Sequence, residues 1–143
     1  MMTSPKTMLM RARSGRYAVG AFNINNMEVL QGVVEAAVQE RAPIIVQTSQ
    51  GAIEYAGMKM LAAMTHTVAR DADIPMAMHL DHGTNIDLVI EAIESGLYTS
   101  VMVDASRFPL EENIRITRDV VRRAHARNIF VEAELGAIPG KED

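Results

Sequence analysis

Short apolar segments alternate with longer segments of helical period along the chain, and this alternation limits the fold more than any other feature. Tyr17 to Phe22, Ile44 to Thr48, Pro75 to His79 or Leu80, Thr99 to Val103 and Ile129 to Leu135 read as strands. Met27, Leu30, Val33, Val34, Ala37 and Val38 recur at helical spacing, which predicts an amphipathic helix over Asn26 to Glu40. Met60, Ala63, Met64, Thr67 and Val68 predict a second, ending near Arg70. Ile86, Val89, Ile90 and Ile93 predict a third, closed by Gly96, and Ile114, Thr117, Val121 and Ala124 a fourth over Glu111 to Arg127. Ahead of them, Ser4-Pro5 reads as an N-cap followed by proline at the first position of a short helix to about Ser14. Strands therefore begin near positions 17, 43, 74, 99 and 129. Their spacing of roughly 25 to 31 residues is the size of one βα unit.

Strict strand-then-helix order implies a parallel sheet with right-handed crossovers. Two architectures accommodate five such units: a complete flavodoxin-like sheet, or the first five strands of a TIM (β/α)8 barrel, typically about 250 residues long. The strand faces discriminate between them. Helices cover an open doubly wound sheet on both sides, so both faces are then apolar. Here each strand has one apolar face and one that turns polar toward its C-terminal end. Alternation puts Ala21 with Asn23, Gln47 with Ser49, His79 with Asp81, Ser100 with Met102 and Asp104, and Glu132 with Glu134. Polar groups from all five strands thus converge on one end, as at the mouth of a barrel. The expected fold is α/β, a TIM barrel of which residues 1–143 are the N-terminal portion, with no internal domain boundary. Five strands do not close a barrel, so the chain is expected to be incomplete by itself.

Composition narrows the function. The chain carries a net charge of −4, so no basic excess holds a nucleic-acid backbone. It has no cysteine, which removes disulfides, thiolate catalysis and cysteine-ligated metal. No run of about 18 apolar residues spans a membrane, and Met1 to Arg13 lacks the apolar core of a secretory signal. A cytoplasmic location is expected.

Asp81, Asp104, Glu132 and Glu134 meet at the predicted mouth, with His82 beside them. Clustered carboxylates repel one another, and protonation or a bound cation relieves the repulsion. A solvated acidic rim is the alternative. His79-Leu80-Asp81-His82-Gly83 is the sharpest local feature: a histidine at a strand end is a natural metal ligand, Asp81 is an acid–base candidate, and Gly83 leaves the backbone free to turn. A hydrogen-bonded pair of core histidines explains the same spacing, and both readings stay open. Asn23 and Ser49 stand at strand ends, where such residues commonly cap or turn the chain. His66 and His125 lie on helices and read as surface or interface groups. The methionines, Met58, Met60, Met64, Met76, Met78 and Met102 among them, read as core filling, and Arg118, Arg122, Arg123 and Arg127 as a solvated stripe.

Four motifs in order carry a family resemblance: Gly20-Ala21-Phe22-Asn23-Ile24-Asn25-Asn26, His79-Leu80-Asp81-His82-Gly83, Val101-Met102-Val103-Asp104-Ala105-Ser106 and Val131-Glu132-Ala133-Glu134-Leu135-Gly136. Together they resemble the class II ketose-bisphosphate aldolases, the metal-dependent fructose- and tagatose-bisphosphate aldolases of carbohydrate metabolism and glycolysis. The resemblance implies a (β/α)8 barrel and reversible cleavage of a ketose 1,6-bisphosphate to dihydroxyacetone phosphate and glyceraldehyde 3-phosphate. It implies a catalytic zinc held by three histidines, of which His82 is the first and the other two lie beyond Asp143. It makes Asp81 the proton donor to the aldehyde-derived oxygen, and Glu142 the group that moves a proton at the carbon of the ketone phosphate. Asn23 and Ser49 match substrate-contacting positions, and Asp104 and Glu134 match acidic residues around alternative metal positions, which implies a second cation. Zinc acting as a Lewis acid removes the need for a Schiff-base lysine, and none of Lys6, Lys59 and Lys141 lies on a predicted strand. Dimers or tetramers are implied as well.

Two other functions compete. One is an inactive or non-catalytic aldolase-like piece, since two zinc histidines are missing from the chain. The other is a flavodoxin-like binding module, against which Phe22-Asn23-Ile24-Asn25-Asn26 offers no glycine to cradle a phosphate.

Overall fold

The computed structural model describes residues 2–136. Helix α1 (Pro5–Gly15) starts after Ser4, whose backbone is extended, with Pro5 at the first helical position. It ends at Arg16 in the left-handed conformation. Tyr17 donates its N–H to Ala12 O and so closes the helix end instead of opening a strand, and β1 (Gly20–Asn23) begins three residues later than the sequence predicts. Asn26 caps α2 (Met27–Gln39) by accepting the Val29 N–H at 2.9 Å. Then come β2 (Ile44–Thr48), α3 (Gln50–Ala56), α4 (Met58–Asp71), β3 (Met76–Gly83), α5 (Ile86–Ser95), β4 (Ser100–Val103), α6 (Leu110–His125) and β5 (Phe130–Ala133). Gly96 takes the left-handed conformation that closes α5, as its place after the periodic residues predicts. The short α3 was not expected. Ser49 caps it, and Gly57 at φ 82 divides it from α4.

All five strands form one sheet in the order β1-β2-β3-β4-β5, every neighbour parallel. A doubly wound sheet reverses its strand order at a switch point. This sheet never reverses, so right-handed crossovers stack the helices on one face. That order removes the flavodoxin-like alternative and is the arrangement of consecutive units in a TIM barrel.

Register gives each face its character. On the helix side, Val46 pairs with Met78, and Thr48, Leu80 and Val101 follow in line. These residues are fully buried with Leu61 of α4, Val89 and Ile93 of α5 and Val120 of α6. Each such apolar side chain contributes about 1.5–3 kcal/mol on burial. Met8, Met58, Met76, Met78 and Met102 are buried as expected, but Met10 and Met27 are exposed and so, at 60%, is Met60. It belongs to the outer side of α4, whose inner side is Leu61, Ala62, Thr65 and Ala69. On the other face the register runs in rows. Ala21, Ile45 and Ala77 form an apolar row, and Asn23, Gln47, His79, Ser100 and Phe130 a mostly polar one. Glu132 and Met102 form the next row toward the strand C-termini.

One irregularity matters to the site. Leu80 pairs with Val101 and Gly83 with Val103, so β3 spends three steps where β4 spends two. The extra residue is a β-bulge, and His82 in it has φ 44. A Cβ on Gly83 would lie 2.3 Å from Val89 Cγ2 and 2.6 Å from Met102 O, so only glycine lets the bulge press against β4 and α5. Gly83→Ala is expected to cost about 1–3 kcal/mol through this overpacking. The loss is read as a lower urea midpoint at unchanged slope; an unaltered midpoint contradicts it.

Candidate functional site

The bulge solves a geometric problem. Neighbouring residues of a regular strand point to opposite faces, yet Asp81 and His82 both reach the mouth. Asp81 follows His79 on the inner side, where Asn23 Nδ2 donates to Oδ2 at 2.9 Å and Gln47 Nε2 donates to Oδ1 at 2.8 Å. The two amides come from β1 and β2 and fix the plane of the carboxylate. His82, turned by its left-handed backbone, places Nδ1 3.4 Å from Asp104 Oδ2 and 3.6 Å from Glu134 Oε2.

His82, Asp104 and Glu134 are the group of histidine and acidic side chains suited to a metal ion among the described residues, with ligand atoms all within 4.8 Å of one another. A tetrahedral ion with bonds of about 2.1 Å separates its ligand atoms by about 3.4 Å, close to the His82 distances. One imidazole nitrogen and two carboxylate oxygens suit zinc and harder divalent cations alike. The residues therefore fit a metal ion.

Buried groups hold this trio. Asp104 Oδ1 accepts the Ser106 N–H at 3.0 Å. Burial pushes the Asp104 carboxyl up, but the Ser106 hydrogen bonds and His82 outweigh it and leave its pKa below the usual value. Asn113 of α6 is buried and donates to Glu134 O at 2.8 Å, while Thr117 donates to Asn113 Oδ1 at 3.1 Å. The chain just past β5 is thereby pinned to α6.

A second group lies one row deeper. The His79 side chain is 5% exposed, with Nδ1 2.8 Å from Ser100 Oγ and Nε2 3.6 Å from Glu132 Oε2. Burial lowers its pKa to about 4 against the partial opposition of Asp81, and His82 lowers it further. Glu132 moves the other way, raised by burial and by the Asp81 charge.

Asp81, His82, Asp104, Glu134 and Asn23 are thus brought together. Ser49 has a structural task, its hydroxyl oxygen accepting the Ala52 N–H at 3.2 Å to cap α3. Glu142 lies outside the described residues. His66 joins α4 to the turn after α5, its Nε2 2.8 Å from Leu97 O, and His125 is exposed. Arg122 and Arg123 pair with Asp119 on an exposed face. The sequence reading did not assign a part to Gln47, Ser100 or Asn113. Alternation puts the first two on the inner face, whereas nothing local marks Asn113.

The order of strands, the single helical layer and the charged mouth match what comparison with known proteins finds. The family model for class II fructose-bisphosphate aldolase matches residues 3–143. The chain belongs to the class II fructose-bisphosphate aldolase family. It is 48% identical over 145 aligned positions to the fructose-bisphosphate aldolase of Geobacillus stearothermophilus, covering 99% of this chain and 50% of that protein. The Giardia intestinalis fructose-bisphosphate aldolase is 48% identical over 139 residues, 96% of this chain and 43% of that one. The crystal structure of the YdjI aldolase from Escherichia coli K12 superposes with a TM-score of 0.89 at 34% identity, covering 95% of this chain and 51% of its own. The chain spans about half the length of the curated relatives it matches. In this family context the sheet is the first part of a TIM barrel, and the trio lies at the strands' C-terminal ends, where barrel enzymes keep their chemistry.

His79 makes the aldolase fold sensitive to acid. Its folded pKa of about 4 lies below the unfolded value near 6.5, so the unfolded chain takes up the proton first. Stability is then fully present above about pH 6.5 and falls by up to about 3 kcal/mol as pH drops toward 4. Imidazole NMR checks this directly: His79 is expected to titrate near pH 4, and a midpoint near 6.5 contradicts it.

Proposed function

We propose that this chain is the N-terminal portion of a single barrel domain that performs metal-dependent aldol cleavage. The substrate class is a ketose 1,6-bisphosphate, fructose or tagatose, and the products are dihydroxyacetone phosphate and glyceraldehyde 3-phosphate. The observation that carries the reading is the juxtaposition of the His82, Asp104 and Glu134 trio with an Asp81 carboxylate clamped by two amides. The family match supports it independently.

In this reading His82, Asp104 and Glu134 hold divalent cations, zinc first, with further ligands from the rest of the barrel. A bound zinc supplies Lewis acidity toward the electron pair that carbon–carbon cleavage leaves behind. Asp81 takes the proton from the hydroxyl on the carbon that becomes the aldehyde. In the condensation direction it returns that proton to the aldehyde-derived oxygen. Asn23 and Gln47 keep its oxygens aimed at one place, so the transfer needs no side-chain search. Asn23 and Ser49 contact the substrate, and Glu142 moves the proton at the ketone-phosphate carbon. Lys6 and Lys59 lie on α1 and α4, away from the strands, so among the described residues no amine is placed to form a Schiff base. A cytoplasmic homo-oligomer, dimer or tetramer, in glycolytic carbohydrate metabolism completes the reading. No helix among the described residues is long and apolar enough to cross a membrane.

The test uses the full-length protein and both sugar bisphosphates, with products measured before and after chelation. Chelation is expected to abolish cleavage and zinc to restore it. Asp81→Ala is expected to lower kcat by about 10²–10⁴-fold while metal content stays constant. Cleavage that survives thorough chelation overturns the reading. The 143-residue chain alone is expected to bind zinc weakly in calorimetry and to give at most trace turnover.

A further inference from the structure

Four carboxylates share the mouth, and three separate sets of partners face them. Asp81 takes the amides of Asn23 and Gln47. Asp104 and Glu134 face His82 Nδ1. Glu132 faces His79 Nε2 at 3.6 Å. That nitrogen is buried, has no hydrogen-bond partner among the described residues, and takes no part in the proton transfers proposed for Asp81.

The two neighbours of the ring decide its tautomer. Were Nδ1 to carry the proton, the bare Nε2 lone pair would face a carboxylate, and the Ser100 hydroxyl hydrogen would lose its acceptor. With the hydroxyl donating to Nδ1 at 2.8 Å, the ring proton sits on Nε2 and points at Glu132. Burial keeps the ring neutral. The Glu132 side chain is 57% exposed and has room to turn. Closing the gap to about 2.9 Å makes a hydrogen bond.

We propose that His79 is a positioning residue that holds Glu132 out of the cation set of His82, Asp104 and Glu134, so that the cation meets two carboxylates and not three. The inference rests on the reading of that trio as metal ligands. Glu132 and Glu134 leave the chain on one side two residues apart, so without an anchor Glu132 can swing toward the trio. A third carboxylate adds hard oxygen and negative charge, which favours Mn²⁺ or Mg²⁺ over zinc. His79 thereby sets the metal preference without touching the metal.

The experiment compares zinc and Mn²⁺ affinities, by competition with a chromophoric chelator, in the full-length protein and its variants. Imidazole ¹⁵N NMR on the unsubstituted protein adds a direct view of the ring. A protonated Nε2 and a bare Nδ1 are expected. His79→Leu is expected to shift the preference toward Mn²⁺ by about 10-fold or more. Adding Glu132→Gln to it is expected to return the preference to its starting value. His79→Gln, whose amide nitrogen overlies Nε2, is expected to keep that value. Where His79→Leu does not fold, His79→Asn takes its place, because it reaches Ser100 and offers nothing to Glu132. An unchanged preference in a folded variant, a shift that persists when Glu132 is also replaced, or a proton on Nδ1 overturns the inference. An unsubstituted protein that binds no divalent cation overturns the metal reading instead.

Discussion

In-line parallel pairing is the constraint on which the rest depends. Once Asn23 is opposite Gln47, Gln47 opposite His79 and His79 opposite Ser100, the face of every other strand residue is fixed by the two-residue period. The apolar row of Ala21, Ile45 and Ala77 lies toward one end, and the acidic groups lie toward the other. Isolated charges in the apolar row would cost several kcal/mol each in lost hydration. The order of rows therefore serves stability and chemistry together: the same period that buries Val46, Met78 and Leu80 under the helices delivers Glu132 and Glu134 to the mouth.

Much of this was legible in the amino-acid sequence because it follows from periodicity. The limits of β2, the proline-led start of α1 after Ser4 and the close of α5 at Gly96 all rest on local chemistry. The boundary at Tyr17 did not, because an aromatic residue after a helix satisfies strand preference while its N–H is still committed to Ala12. Helix α3 escaped for a related reason. Its seven residues are too few to show a period, and Gly57 hides the break before α4. Met60 shows that a helical stripe of methionines does not reveal which edge of the stripe faces inward.

The site was legible as a set of residue types and not as a geometry. Alternation placed Asp81 and Glu134 on the inner face, but it cannot place His82 there. Nor does spacing show that Gln47 and Asn23 clamp Asp81 from two other strands, or that Asn113 holds the Glu134 carbonyl from α6. These are long-range contacts, created only when the sheet assembles.

The Asp81-His82 pair explains why the bulge is worth its strain. In the proposed reaction a proton-transfer group and a metal-binding nitrogen must lie within a few ångströms of one reacting centre, and the shortest covalent link between two such groups is to be adjacent in sequence. A regular strand forbids this, since adjacent side chains diverge to opposite faces. An extra residue in β3 restores it, and the φ of 44 at His82 costs about 1–2 kcal/mol for a residue with a Cβ. Gly83 removes the collision with Val89 and Met102 that any larger residue would add. The strain is thus confined to one backbone unit and held by the buried ladder on either side, Leu80 to Val101 and Gly83 to Val103. A site built from two separate strands would avoid the strain, but its spacing would then depend on every shift between those strands.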